Sequence, residues 1–302
     1  MNWKGIYAAM LTPLCPDGKV NTEEVRRLTE FLIEKGVHGL FPVSNVGGQI
    51  HLPLEEKCRF IEAVVEEAKG RAPVFPGISA SNTKDAIQLG RYCESLGASG
   101  AVLSAPFYFP YPQEVVRDGL LTVAESLRLP IILYHIPLYA NPIGPDTLRD
   151  LFRCQNIMGM KDSSGSIDHF LAVQAMAAEE KREFHLFVGW EEMLFSALEL
   201  GADGCMTASA GIFPEIMRAL FTETQKGNRE RALQLQRLIA RATGKMKKVF
   251  FPYGYQLAME ARGFDLGPYP VSLRRSYEEE RQSIRRMVED TLNLFQSLQA
   301  GV

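Results

Sequence analysis

Eight short apolar runs, each followed by an amphipathic segment, organise most of this chain. The runs lie at residues 6–11, 39–43, 74–78, 101–103, 131–134, 157–161, 185–188 and 205–207. Runs this short and this uniformly apolar lack the alternation of a strand with one wet face. They read as strands of a parallel sheet covered on both sides. The segments between them carry helical spacing. Residues 22–34 place Val25, Leu28, Phe31 and Leu32 on one face behind Asn21 or Thr22 as N-cap, and 54–69 places Phe60, Ile61, Val64 and Val65 likewise. Asn82 or Thr83 caps a helix that reaches Leu96, and segments 113–127, 146–152, 167–177, 191–200 and 213–226 complete eight.

Three helix-to-strand joints repeat one pattern: Gly36-Val37-His38-Gly39, Gly97-Ala98-Ser99-Gly100 and Gly201-Ala202-Asp203-Gly204. The first glycine suits a left-handed helix C-cap and the second a close entry into a strand. Eight β/α units with short joints predict an α/β fold, a (β/α)8 TIM barrel, rather than an open doubly wound sheet. The lack of Gly-x-Gly-x-x-Gly after the first run also argues against a dinucleotide fold. The barrel is expected over residues 1–226. Residues 227–302 read as a C-terminal helical extension packed on the barrel or on a neighbouring subunit. Its helices fall at 229–250 and 277–298, with breaks at Phe251-Pro252-Tyr253-Gly254 and at 263–270.

Composition narrows the function. The 302 residues carry 33 basic and 36 acidic side chains, well mixed, for a net charge of −3, so no basic stripe points to nucleic acid. No run is long enough to span a bilayer and the N-terminus has no signal-like apolar region, so the expectation is a soluble, cytoplasmic protein. Cys15, Cys58, Cys93, Cys154 and Cys205 form no Cys-x-x-Cys pair and read as reduced thiols. The five histidines lack ligand spacing. No metal and no cofactor is expected.

In such a barrel the active site lies at the C-terminal ends of the strands. Those ends are Thr12-Pro13, Ser44-Asn45-Val46-Gly47-Gly48, Pro106-Phe107-Tyr108, Tyr134, Lys161 and Thr207-Ala208-Ser209. A lysine closing a buried strand is costly unless its amine has work to do. Burial lowers its pKa and leaves a neutral nucleophile able to form a Schiff base with a carbonyl. Tyr134 ends the preceding run, placed to pass protons to that lysine. The set contains no acidic cluster, which disfavours a metal-first mechanism.

Gly159-Met160-Lys161-Asp162-Ser163-Ser164-Gly165 closely matches the Schiff-base lysine motif of the dihydrodipicolinate synthase/N-acetylneuraminate lyase family of class I, pyruvate-dependent aldolases. Leu133-Tyr134-His135-Ile136-Pro137 resembles that family's Tyr-Asn-x-Pro segment, Ala9-Met10-Leu11-Thr12-Pro13-Leu14 its opening strand, and Ala105-Pro106-Phe107-Tyr108 its aromatic turn. The four keep their order and spacing across the barrel region. The resemblance implies a (β/α)8 barrel, usually a homotetramer built as a dimer of dimers, whose lysine forms a covalent imine with pyruvate or another 2-oxo acid. Lys161 is then the nucleophile, Tyr134 the proton carrier, and Tyr108 a residue whose counterpart reaches into a neighbouring site. Backbone N–H groups at Val46 and Gly47, beside Ser44, hold the substrate carboxylate.

The departures from the family pattern bear on the substrate. Asn45 and Val46 stand where the family has two hydroxyls, and Gly48 stands for its acidic residue. Tyr139 stands two residues after Pro137, where the synthases carry an arginine, and a phenol makes no bidentate clamp for a carboxylate. Tyr139, His135 and Asn141 suit a neutral, hydroxylated or aromatic aldehyde, and Thr12, Thr207 and Ser209 complete the substrate-binding set. The Lys245-Met246-Lys247-Lys248 cluster reads as a solvated helix face. The expected function is a class I, metal-independent lyase that cleaves or forms a C–C bond between pyruvate and an aldehyde, on a 2-oxo-3-deoxy sugar acid or related 2-oxo acid. The alternatives are a dihydrodipicolinate synthase, a 2-oxo acid dehydratase, or a protein that binds a 2-oxo acid without turning it over.

Overall fold

The computed structural model describes residues 3–300, so the outer ends of both predicted regions, residues 1–2 and 301–302, lie outside the described residues. Seven strands, β1 (Gly5–Ala9), β2 (Gly39–Phe41), β3 (Ala101–Ser104), β4 (Ile131–His135), β5 (Ile157–Asp162), β6 (His185–Val188) and β7 (Gly204–Thr207), form one curled sheet in the order β2-β1-β7-β6-β5-β4-β3. Every pairing is parallel. The sequence predicts an eighth regular strand at 74–78, and here the structure differs. That segment runs between the two edge strands and makes only single parallel bridges, Leu40↔Val74 and Gly77↔Val102. Pro73 and Pro76 are the reason. Their carbonyls accept from Leu40 and Val102, but neither has an N–H to return to a ladder.

Helices α1 (Thr22–Glu34), α2 (Leu54–Ala68), α3 (Thr83–Ser95), α4 (Gln113–Glu125), α5 (Pro145–Leu151) and α6 (Ile167–Glu179) each pack on the next in chain order. Their starts follow the capping signals. Asn21 accepts from the Glu24 N–H at 3.2 Å, Asn82 from Asp85 at 2.9 Å and Ser166 from His169 at 3.1 Å. The segment predicted as one helix at 191–200 divides into a 3-10 turn, Glu191–Met193, and α7 (Leu194–Glu199); α8 (Ser209–Ile212) and α9 (Pro214–Gln225) follow. Each repeated joint behaves as its glycines require. Gly36, Gly97 and Gly201 take φ of 77°, 74° and 95°. A Cβ on Gly204 would lie 1.7 Å from the Gly5 carbonyl oxygen.

The chain ends in α10 (Arg229–Met246), α11 (Tyr253–Ala261) and α12 (Glu278–Ala300), with α10 against α9 and α12 against both α10 and α11. The predicted helix at 229–250 stops earlier, at Met246, and α11 begins inside the stretch read as a break. Pro252 is its N-cap residue, where a missing N–H breaks no helical hydrogen bond. Inside the sheet, Tyr7 meets Phe75 and Phe187 edge-on, with ring centroids 5.6 and 5.2 Å apart, and Trp3 meets Phe75 at 4.9 Å. Among the described residues no helix is long and apolar enough to cross a membrane.

Candidate active site

Side chains along a strand alternate between the two faces of a sheet, so neighbours in sequence part company. In β4 and β5 the register sets Tyr134 beside Lys161 and His135 beside Asp162. The first pair faces the sheet interior and the second faces the helices. Lys161 is buried, with its Nζ 3.9 Å from the centroid of the Tyr134 ring and 4.9 Å from that of Phe41. Burial lowers the Lys161 pKa to about 7, against an upward pull from Glu191 and Cys205. Burial also pushes the Tyr134 phenol well above its ordinary value. Ser163 opposes that rise and the charges of Glu191 and Tyr139 add to it. The Ser163 Oγ is buried and makes no hydrogen bond of ordinary geometry.

Two adjoining cavities open at this end of the sheet. The inner one, about 220 Å³, is lined by Lys161, Tyr134, Ser163, Gly189, Trp190, Glu191, Thr207, Val46 and Tyr255, among others. The outer one, about 310 Å³, lacks Lys161 and is walled by Phe107, Tyr108, Tyr269, Gln49 and His51. Asn45, Tyr134, Ile136, Tyr139 and Phe251 line both. Tyr139 stacks on Phe251 with centroids 5.8 Å apart, forming an aromatic lip. Lys247, one of the lysines read as a solvated helix face, lines the inner cavity from just beyond α10. It lies 2.6 Å from Glu192 and 4.3 Å over the Trp190 ring.

The turn after β2 is built by its own hydroxyls. Ser44 Oγ donates to the Met10 carbonyl and accepts from the Gly47 N–H at 3.2 Å, while Thr12 Oγ1 donates to the Gly47 carbonyl. Ser44, Thr12 and Gly47, predicted to bind substrate, are occupied in shaping the turn, and none of the three lines either cavity. A Cβ on Gly47 would lie 2.5 Å from the Met10 carbonyl oxygen, so the turn admits only glycine there. The Gly48 N–H is taken by the Asn45 carbonyl. Of the two N–H groups expected to form a cradle, that of Gly47 is taken by Ser44, while the N–H groups of Asn45 and Val46 have no partner among the described residues.

The other predicted residues divide in the same way. Thr207 ends β7, buried, and lines the inner cavity. Ser209 lines neither cavity. Its N–H and Oγ both reach Glu191 Oε1, at 3.3 and 3.4 Å. His135 lies behind the sheet, its ring stacked 3.9 Å from that of His169, and its Nδ1 accepts from the Ile143 N–H. His169 Nδ1 lies 2.7 Å from Asp162, which also accepts from the Ser164 N–H. Burial and the neighbouring His169 lower the His135 pKa to about 4. Among the described residues, His135, Asp162 and His169 are the group whose ligand atoms converge, within 4.8 Å of one another. Asn141 clamps the loop that presents Tyr108, bonding Pro106, Phe109 and Tyr111. Tyr108 itself is 87% exposed, with φ of 78°, at the rim of the outer cavity.

Sequence reasoning missed Gly189, Trp190 and Glu191. The rule that located the others, reading residues just past each strand, finds them beyond β6 once it is applied there. Gly189 leaves room for two neighbouring side chains: a Cβ would lie 1.9 Å from Ser163 Oγ and 2.7 Å from Lys161 Cε, and both would have to shift. Gly189→Ala is expected to leave the fold intact and slow covalent capture of pyruvate about 100-fold by displacing the amine. Stopped borohydride reduction read by mass spectrometry checks this.

The dihydrodipicolinate synthetase family profile matches residues 2–293 of the chain. An uncharacterised DapA-like lyase of Pyrococcus furiosus is 33% identical over 293 residues, covering 95% of this chain and 96% of that protein. A 4-hydroxy-tetrahydrodipicolinate synthase of Methanopyrus kandleri is 30% identical over 286 residues, 94% of either chain. Among solved structures, the 2-keto 3-deoxygluconate aldolase of Picrophilus torridus superposes with a TM-score of 0.83 at 28% identity, over 91% of this chain and 98% of that one.

Proposed function

We infer the reaction from a plain premise: this chain belongs to the dihydrodipicolinate synthetase family and is a class I lyase. In our reading Lys161 attacks C2 of pyruvate or of a longer 2-oxo acid and, with loss of water, forms an imine. The protonated imine draws electrons from the C3–C4 bond, so that bond breaks to an enamine and an aldehyde, or forms in reverse. Tyr134 gives and takes the proton on the aldehyde or alcohol oxygen. The observation that carries this is a buried amine that lines the inner cavity with its Nζ 3.9 Å from the centroid of that tyrosine's ring, where burial pulls its pKa down.

The Asn45 and Val46 N–H groups hold the 2-oxo acid carboxylate, and Thr207, Asn45 and Tyr139 face the rest of the substrate. A 2-oxo-3-deoxy sugar acid or related 2-oxo acid fits a cavity with hydroxyls at its base and aromatic rings at its lip. A synthase acting on an acidic aldehyde is less well supported. Lys247 is the cationic side chain of the cavity besides Lys161, and Glu192 neutralises it at 2.6 Å. Residues 1–226 then form a closed (β/α)8 catalytic barrel, with 74–78 as the eighth staves' stand-in. Residues 227–302 form the extension that supplies Phe251, Tyr255 and Lys247 to the mouth. We take the protein to be cytoplasmic and a homotetramer, a dimer of dimers. The exposed Tyr108, Phe109 and Leu138 support the assembly, and light scattering tests it.

Borohydride reduction in the presence of pyruvate, followed by peptide mapping, tests the reaction. An adduct on Lys161 is expected, and its absence would overturn the reading. The reactive form of the amine is the neutral one. With its pKa at about 7, the rate of capture at fixed pyruvate is expected to rise from pH 5 and level off above about 7. An unburied lysine would continue to gain up to pH 10 and beyond.

A further inference from the structure

Cleavage through a pyruvate imine moves two protons, one on the departing oxygen and one on C3, and the inner cavity presents acid–base groups on both sides of the lysine. The sheet order β6-β5-β4 places Lys161 in the middle. Tyr134 stands on the β4 side. Glu191 comes from the turn just beyond β6, on the other side, and lines the same cavity. Its side chain is buried, yet no cation pairs with it among the described residues. The Ser209 N–H and Oγ both reach its Oε1. Gln236 Nε2 holds its backbone carbonyl at 3.0 Å. The residue thus lines the cavity with its backbone and one carboxylate oxygen anchored.

We propose that Glu191 is the group that removes and returns the proton on C3 of the imine, an assignment that rests on the imine reading above. As a carboxylate it takes a C3 proton from the protonated imine. The C–H pair becomes the C2=C3 bond and the C=N pair returns to nitrogen, giving a neutral enamine and a neutral carboxylic acid. In the cleavage direction C3–C4 scission itself gives the enamine, so Glu191 enters as the acid, gives its proton to C3 and is left a carboxylate that regains a proton from solvent before the next turnover. The iminium re-forms, and water releases pyruvate and the free amine.

The surroundings suit that cycle. The groups facing Glu191 are Lys161 from β5, Tyr134 from β4, Cys205 from β7, Tyr255 from α11, the adjacent Glu192, and Lys247 beyond α10. Burial holds its carboxyl above the ordinary range. Glu192 adds to this, while its own backbone N–H, Lys247 and the Ser209 N–H oppose it. A positive iminium beside it favours the carboxylate, and a neutral enamine favours the acid, so the proton moves with the charge on nitrogen.

The probe is pyruvate alone in D2O, with C3 exchange followed by NMR and imine formation by borohydride trapping. Wild-type protein is expected to do both. Glu191→Gln, whose amide oxygen can still accept from Ser209, is expected to trap pyruvate on Lys161 while C3 exchange falls about 100-fold or more. Glu191→Asp is expected to recover part of the exchange with a shifted pH profile. Exchange in Glu191→Gln at the wild-type rate would overturn this assignment and leave the imine reading standing. Failure of the wild type to trap pyruvate would overturn both. If circular dichroism finds Glu191→Gln unfolded, Tyr134→Phe decides: retained C3 exchange supports Glu191, and lost exchange with trapping intact moves the proton to Tyr134.

Discussion

Lys161→Ala is expected to abolish trapping of pyruvate and to lower C–C cleavage by a factor on the order of 10⁵ or more, the scale of losing a covalent nucleophile. Lys161→Arg should be equally inactive. A guanidinium keeps the charge but is never the neutral nucleophile. The substitution also has a signed effect on stability. The native state holds this amine at about pKa 7 against an ordinary 10.5. Between those values the unfolded chain binds more protons than the folded one, so this group's contribution to stability rises with pH across that window. Below about pH 7 the full cost of burying the ammonium is present, and above 10.5 it is gone. Lys161→Met, which keeps the bulk and removes the charge, is therefore expected to melt several degrees higher than wild type at pH 6. The two melting temperatures should converge toward alkaline pH. Calorimetry across pH 6 to 10 measures this, and a Met variant no more stable than wild type at pH 6 would mean that the ammonium is solvated where it lies.

Tyr134→Phe is expected to reduce aldehyde-forming cleavage by about 10²–10⁴-fold, the usual worth of a positioned proton donor. Covalent capture of pyruvate should survive, because Lys161 keeps its burial and the aromatic ring beneath its Nζ. This split between capture and cleavage separates a proton carrier from a residue that merely packs. A phenylalanine variant that lost both equally would show the ring, rather than the hydroxyl, to be what matters. Single-turnover kinetics with a 2-oxo-3-deoxy sugar acid reads the cleavage step, and trapping with pyruvate reads the capture.

The legibility of this site in the sequence follows from how local each feature is. Lys161 and Tyr134 were readable because each closes an apolar run, and parallel strands adjacent in sequence set them side by side. His135 was misread because period-2 alternation had to be applied within β4. One residue past an inward tyrosine is an outward histidine, and it stacks on His169. Ser44 and Thr12 were misread because a hydroxyl in a turn has two uses, and only coordinates show that Met10 and Gly47 take them. Glu191 was missed because its segment has helical spacing, which hid that its first turn is a 3-10 turn hanging over the cavity.

Apolar periodicity, capping residues and paired glycines are short-range signals, and by themselves they determined the order of the elements, most of the boundaries and the placing of a lysine at the end of a buried strand. Hydrogen-bond competition and the closing of space act between residues far apart in the chain, and only the tertiary structure decided those. It left 74–78 irregular between two edge strands, left the N–H groups of Asn45 and Val46 unpaired at the turn after β2, and brought a buried carboxyl from beyond β6 to the far side of Lys161. A sequence records which groups are present; which of them remain unsatisfied, and so free to act on a substrate, depends on the partners that folding brings to each.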